Sequence, residues 1–206
     1  MFVLTVDQVD SRHDEDRVVA VLERAAELRA RGVLLGPDRT AGDEFQLVLR
    51  SPGAALGAAL ELNRTGRWTV GVGVGRVDEP LPATAREATG PAFSSARAAV
   101  EQAKRAPHRL VVVAEDEPRS AEDLTALLQL LLEVRARRSP EGWAVTDLLA
   151  EGLSQAAVAE RQGVTPQAIS LRVRAGGVRI EQAALPALVR GLDALDRLVD
   201  PVRPSP

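Results

Sequence analysis

Valine and glycine alternate strictly through Val70-Gly71-Val72-Gly73-Val74-Gly75. A period of two is that of a β-strand, whose successive side chains point to opposite faces. One face of this strand is therefore valine and the other bears no side chains. Glycine inside a strand marks a place where another backbone comes close, so the pattern predicts a helix packed directly on the bare face. Reading the same glycines as a phosphate cradle fails on context, because a dinucleotide fingerprint places them in a turn between strand and helix.

The surrounding pattern is mixed. Phe2 to Asp7 alternates as a strand, with Phe2, Leu4 and Val6 on one face and Asp7 at its end. Asp14 to Ala30 carries Val18, Val21, Leu22, Ala25 and Leu28 at helical spacing. Val33 to Thr40 and Glu44 to Leu49 read as a hairpin turning at Ala41-Gly42-Asp43. A helix over Ala54 to Leu62, the Trp68 to Gly75 strand, a helix over Ala92 to Lys104 and a buried strand at Leu110 to Ala114 follow. This order predicts an α+β domain over 1–114, its antiparallel-containing sheet covered by helices on one face. The acidic, proline-containing segment 115–123 is the expected linker, 124–200 an all-helical domain and 201–206 a frayed tail.

Within the helical half, Ser154 to Arg174 reads as two short helices joined at Gly163. Ser154 is a good N-cap, Gly163 is able to take the left-handed conformation, and Thr165-Pro166 restarts the helix with a cap followed by proline. Two helices so joined form a helix-turn-helix, whose second helix enters the DNA major groove. At about 100° per residue, Ile169 and Val173 point to the core, while Gln167, Ser170, Leu171 and Arg174 point away with Arg172 on the flank. These are the expected DNA-binding residues. Arg161 to Arg179 holds four arginines and no acid, although from Ser120 onward ten arginines face eleven acids. Trp143, Val145, Leu148 and Leu149 supply a helix packing against the turn, similar to region four of sigma factors. Leu124, Leu127, Leu128, Leu131 and Leu132 form an apolar stripe, after which Arg135, Arg137 and Arg138 either touch phosphates or solvate a helix end. Leu185 to Leu198 forms a second stripe that closes the domain or makes a homodimer.

Composition narrows the function. There is no cysteine and only His13 and His108 could offer imidazole, so disulfides and thiolate or zinc sites are not expected. Aromatic content of 2% leaves almost no stacking platform for single-stranded nucleic acid. No run of about eighteen apolar residues occurs, which argues against a membrane span and for a cytoplasmic protein.

Chemistry in the first half converges on Asp7 and Arg39-Thr-Ala-Gly-Asp-Glu-Phe45. A carboxylate ending the first strand and another at a hairpin tip can meet across neighbouring strands, where they would hold a magnesium ion that also binds phosphate. Gly42 would let that phosphate approach the backbone. Thr40-Ala-Gly-Asp-Glu-Phe45 resembles the Gly-Gly-Asp-Glu-Phe hairpin of diguanylate cyclases, Trp68 to Val74 their following strand, and Ala96 to Lys104 their helix ending in Ala-Lys. Over nearly its whole length the chain resembles the SatD family of small bacterial proteins, which join such a domain to a helix-turn-helix. The resemblance implies a ferredoxin-like, nucleotidyl cyclase-like fold, metal ligation by Asp7, Asp43 and Glu44, and phosphate binding by Gly42 and Lys104. Glu15 and Arg24 stand where the cyclases carry their guanine readers, and Ala41 replaces the first glycine, so guanine specificity is not implied.

Two functions follow. The favoured one is a DNA-binding transcriptional regulator of double-stranded DNA whose degenerate cyclase-like domain senses a nucleotide. The other is a nucleotidyl-transfer enzyme whose helical half binds a partner.

Overall fold

The computed structural model describes residues 1–201, without the side chains of Ala25, Ala26 and Arg29; residues 202–206 of the expected tail lie outside the described residues. The chain is mixed α and β and forms two compact units, Met1–Gln129 with Leu188–Pro206, and Leu130–Ala187.

The first unit is built on one sheet of β1 (Phe2–Gln8), β2 (Val33–Ala41), β3 (Glu44–Leu49), β4 (Trp68–Val74) and β5 (Leu110–Val113), in the order β2-β3-β1-β4-β5. All neighbours are antiparallel except β4 and β5. Central β1 aligns Asp7 with Glu44 of β3 and Thr69 of β4. The helix predicted for the bare glycine face is α4 (Pro91–Ala103), which presents Ala92, Ala96, Ala99 and Ala103, all fully buried. Its approach is limited by backbone contact: a Cβ on Gly71 would lie 2.2 Å from Val100 N, and one on Gly73 2.2 Å from Ala92 O.

Helices cover both faces of the sheet, not one as the element order implied. Besides α4, α3 (Pro52–Arg64) packs on β1, β3 and β4 with Leu56 and Leu60 buried. The reason lies in β4, every residue of which is buried; a strand with valine on one face and bare backbone on the other leaves neither face suited to water. The helix expected over Asp14 to Ala30 is shorter and broken, as α1 (Val18–Glu23) and α2 (Ala25–Ala30). Asp14 and Asp16 accept the backbone N–H groups of Glu15 and Val18, the local competition by which aspartate delays a helix start.

The acidic segment is not a free linker. Glu115 accepts from Ser94 Oγ at 3.1 Å and its N–H donates to Ser95 Oγ, and Pro118 already opens α5 (Pro118–Ala136). Along the edge strand β5, Thr125 of α5 bonds both N and O of Val112 at 3.0 and 3.1 Å, and Gln129 accepts from His108 N and donates to Leu110 O. These side chains occupy backbone groups that an exposed edge would offer to another strand.

The second unit holds α6 (Pro140–Ala150), α7 (Gln155–Gln162), α8 (Pro166–Ala175) and the start of α9 (Val178–Val199). The rest of α9 belongs to the first unit rather than to a separate 124–200 domain. There Leu188, Leu192 and Leu195 are buried, and Gly191 lies against Leu124. Of the two roles expected of the leucine stripe, Leu188, Leu192 and Leu195 fill the first, as core of their own unit, while Leu185 is half-buried and Leu198 is exposed.

Candidate functional site

The hairpin end of the sheet gathers some of the expected residues and separates others. Asp7 and Glu44 are direct cross-strand partners, so both side chains lie on the α4 face. Lys104, just past the last turn of α4, places Nζ 3.0 Å from Asp7 Oδ2 and 3.0 Å from Glu101 Oε1. Arg97, two turns earlier, pairs with Glu44, which is buried and also accepts from Thr40 Oγ1 at 2.6 Å. The hydrogen bond from Lys104 holds Glu101 below the usual carboxylate range. Partial burial pushes Lys104 down, but its bonds to Asp7 and Glu101 outweigh this and leave its pKa above the ordinary lysine value.

Asp43 does not join this network: its carboxylate accepts from Ser11 Oγ and its carbonyl from Gln8 N. Gly42 has φ +43° and open space where a Cβ would stand, while its carbonyl accepts from Arg39 Nη1 at 2.7 Å. Arg39 also grips Asp16, whose carboxyl it holds below the usual range. Among the described residues no three His, Asp or Glu side chains converge as a metal site. The space between Asp7 and Glu101 is spanned by an ammonium, so a divalent ion at Asp7 would first have to displace Lys104. Glu15 pairs with Arg17, and Arg24 with Glu27.

In the second unit, local chemistry fixes two helices at a defined turn. Ser154 Oγ accepts from Ala157 N and Thr165 Oγ1 from Ala168 N, each at 3.2 Å. Gly163 takes the left-handed conformation at φ +65°, and the N–H of Val164 closes on Ala159 O at 3.0 Å, a satisfied helix end. Ile169 and Val173 of α8 are buried with Val145, Val158 and Ala159. Gln167, Ser170, Leu171 and Arg174 are exposed, Leu171 to 59%. Arg172 is half-buried and donates to Gln162 Oε1 at 2.8 Å.

Two of the three arginines expected to touch phosphates or to solvate a helix end are withdrawn from solvent. Arg135 and Arg138 are buried and both pair with Glu181 of α9. Arg138 also donates to Gly176 O, at the end of α8, at 2.9 Å from Nε and 2.7 Å from Nη2. Both guanidinium groups stack near Trp143, at 4.8 and 4.3 Å from the ring centre. Trp143 therefore serves this charged cluster, while Val145, Leu148 and Leu149 pack on the turn. Arg137 stays exposed and pairs with Glu133. Sequence reading missed Glu181 and Gln162, since their partners lie ten or more residues away in no periodic relation.

No family model, curated protein or solved structure matches this chain.

Proposed function

We propose that the protein is a DNA-binding regulator, with α7 and α8 as its helix-turn-helix and α8 as the helix that enters the major groove. The observation that carries this reading is the outer face of α8. Gln167, Ser170, Leu171 and Arg174 stand free on one side of a helix whose other side is fixed in the core, and no acid occurs from Arg161 to Arg179. Gln167 suits the edge of adenine, Arg174 that of guanine, and Leu171 the thymine methyl, while Ser170 bonds any base. Arg172, swung from Gln162, reaches a phosphate. One short helix reads few base pairs, so two chains act together on one site.

Enrichment of one sequence from random duplex DNA, followed by gel shifts, tests this. Gln167→Ala with Arg174→Ala should weaken binding to the enriched site at least tenfold, since each lost base contact costs about 1–3 kcal/mol. Binding to unrelated duplex should change less. Failure to enrich any sequence, or equal binding by the double variant, refutes the reading.

The first unit would then be the sensing half. The nucleotidyl-transfer reading has less support, because a magnesium-bound nucleotide at Asp7, Asp43 and Glu44 would require Lys104 and Ser11 to release two of those carboxylates. Added magnesium and nucleoside triphosphate should accordingly yield no cyclic or dinucleotide product.

A further inference from the structure

The sheet carries a second concavity, on the face opposite the Asp7–Lys104 network. Side chains of β3 alternate, so Phe45 points away from Glu44 and shares a face with its cross-strand partner Val6. Trp68, opposite Gln8 in β1, lies on that same face. Phe45 and Trp68 meet edge to face at 5.3 Å and 87° at the floor of a partly open cavity of about 260 Å³ walled by residues of α1, α2 and α3. Its aromatic side is fully or nearly buried. Its remaining wall includes three arginines, Arg17, Arg24 and Arg67, against one carboxylate, Glu61, which is itself paired to Arg31 at 2.7 Å.

We infer that this cavity binds a small flat organic anion, a single aromatic ring system bearing one carboxylate or phosphate. The Trp68 ring, braced by the fully buried Phe45, favours a planar apolar body, and guanidinium groups favour a planar oxyanion, which they grip with two parallel bonds. Ligand clefts commonly run from about 300 to 1,000 Å³, so 260 Å³ fits one ring system and its charged group and excludes a dinucleotide. Arg67 is the arginine placed to make the contact. Arg17 is already bonded to Asp14 at 2.7 Å and Arg24 to Glu27 at 3.0 Å. That the ligand regulates DNA binding rests on the reading above; that it binds does not.

The chain has two tryptophans, so Trp143→Phe leaves Trp68 as the sole indole and makes its emission a direct readout. Salicylate and AMP represent the carboxylate and phosphate sources, with adenosine and inorganic phosphate as ring-only and anion-only controls. Saturable change in Trp68 emission with salicylate or AMP, but with neither control at equal concentration, is expected, and whichever of the two is tighter names the anion. Arg67→Gln should weaken that binding at least tenfold, and Ala58→Leu, which fills the cavity from α3, should abolish it while the circular dichroism stays native. Lys104→Met should leave it within twofold. No saturable response to either probe overturns the inference, as does binding lost in Lys104→Met yet kept in Arg67→Gln and Ala58→Leu. Gel shifts without probes report on the DNA reading separately, so failure of one is distinguishable from failure of the other.

Discussion

Gly73→Ala places a methyl group where the backbone of α4 already runs. The new Cβ would stand 2.2 Å from Ala92 O, 2.3 Å from Ala96 N and 2.7 Å from Ala96 Cα, and ordinary contact begins at 3.4 Å. The helix would have to retreat by roughly 1.2 Å, and because the obstacles are backbone atoms no rotamer change relieves them. Overpacking in cores costs about 1–3 kcal/mol when side chains can adjust, so a backbone clash on a central strand should cost at least about 3 kcal/mol, a large part of a typical stability of about 5–15 kcal/mol. Gly57→Ala is the control of opposite sign. Gly57 sits on the exposed side of α3 with nothing within 4 Å of the added atom, and removing its unfolded-state freedom should stabilise by about 0.4–1 kcal/mol. Urea unfolding followed by circular dichroism measures both. If Gly73→Ala falls within about 0.5 kcal/mol of the parent, a surface-like effect, then α4 does not rest on the glycine face and the fold assigned to the first unit is wrong.

Glu181→Gln should destabilise the second unit by about 3–5 kcal/mol, because two buried arginines would lose their shared counter-charge; a loss of unfolding free energy under about 1 kcal/mol in urea would show the cluster to be dispensable. Thr165→Ala removes the N-cap of α8 and should cost about 1 kcal/mol, with weaker binding to the enriched DNA site as the helix start loosens. Lys104→Met should cost under about 1 kcal/mol, since the ammonium is partly exposed, and the deficit should depend on pH. The folded-state pKa of Lys104 is raised, so its contribution is complete below an unfolded value of about 10.4 and fades as pH climbs through the folded value. That of Glu101 is lowered, so its contribution is complete above about pH 4.3 and fades on acidification. Thermal unfolding should therefore show a constant gap between parent and variant across neutral pH that narrows at both extremes; a gap that widens above pH ~11 contradicts the pairing.

What the sequence made legible was whatever repeats or caps locally. The Val-Gly period located β4 and the helix on its bare face, and Ser154, Gly163 and Thr165 located both ends of α7 and the start of α8, because each signal is complete within a few residues. Helix coverage of the second face was not legible from element order, since a strand buried on both sides need not announce which helix covers which. The Arg135–Glu181–Arg138 cluster with Trp143 was hidden for a related reason: its members lie on α5, α6, α9 and the connection between α5 and α6, and arginines after a leucine stripe look like a solvated helix end until their acid is found. The hairpin was expected to bring Asp43 to Asp7; it sets Glu44 opposite Asp7 instead, Asp43 turns to Ser11, and the same face delivers Arg97 and Lys104. Carboxylates read alone resemble a metal site, and only tertiary packing shows that the compensating charge is supplied by the chain itself.

The hairpin also shows how one strand serves two sites. Glu44 and Phe45 are neighbours in β3, and the pleat sends them to opposite faces, Glu44 to the cationic side chains of α4 and Phe45 to Trp68 beneath α1 and α3. A slip of one residue in the pairing of β3 with β1 would exchange them, burying a carboxylate against an aromatic edge and turning a phenyl ring toward Arg97 and Lys104. Each misplacement is costly, the first because an unpaired carboxylate would be desolvated. The register that aligns Asp7 with Glu44 and Val6 with Phe45 is therefore fixed by chemistry on both faces at once, which holds the charged network and the aromatic cavity in constant relation across the thickness of a single sheet.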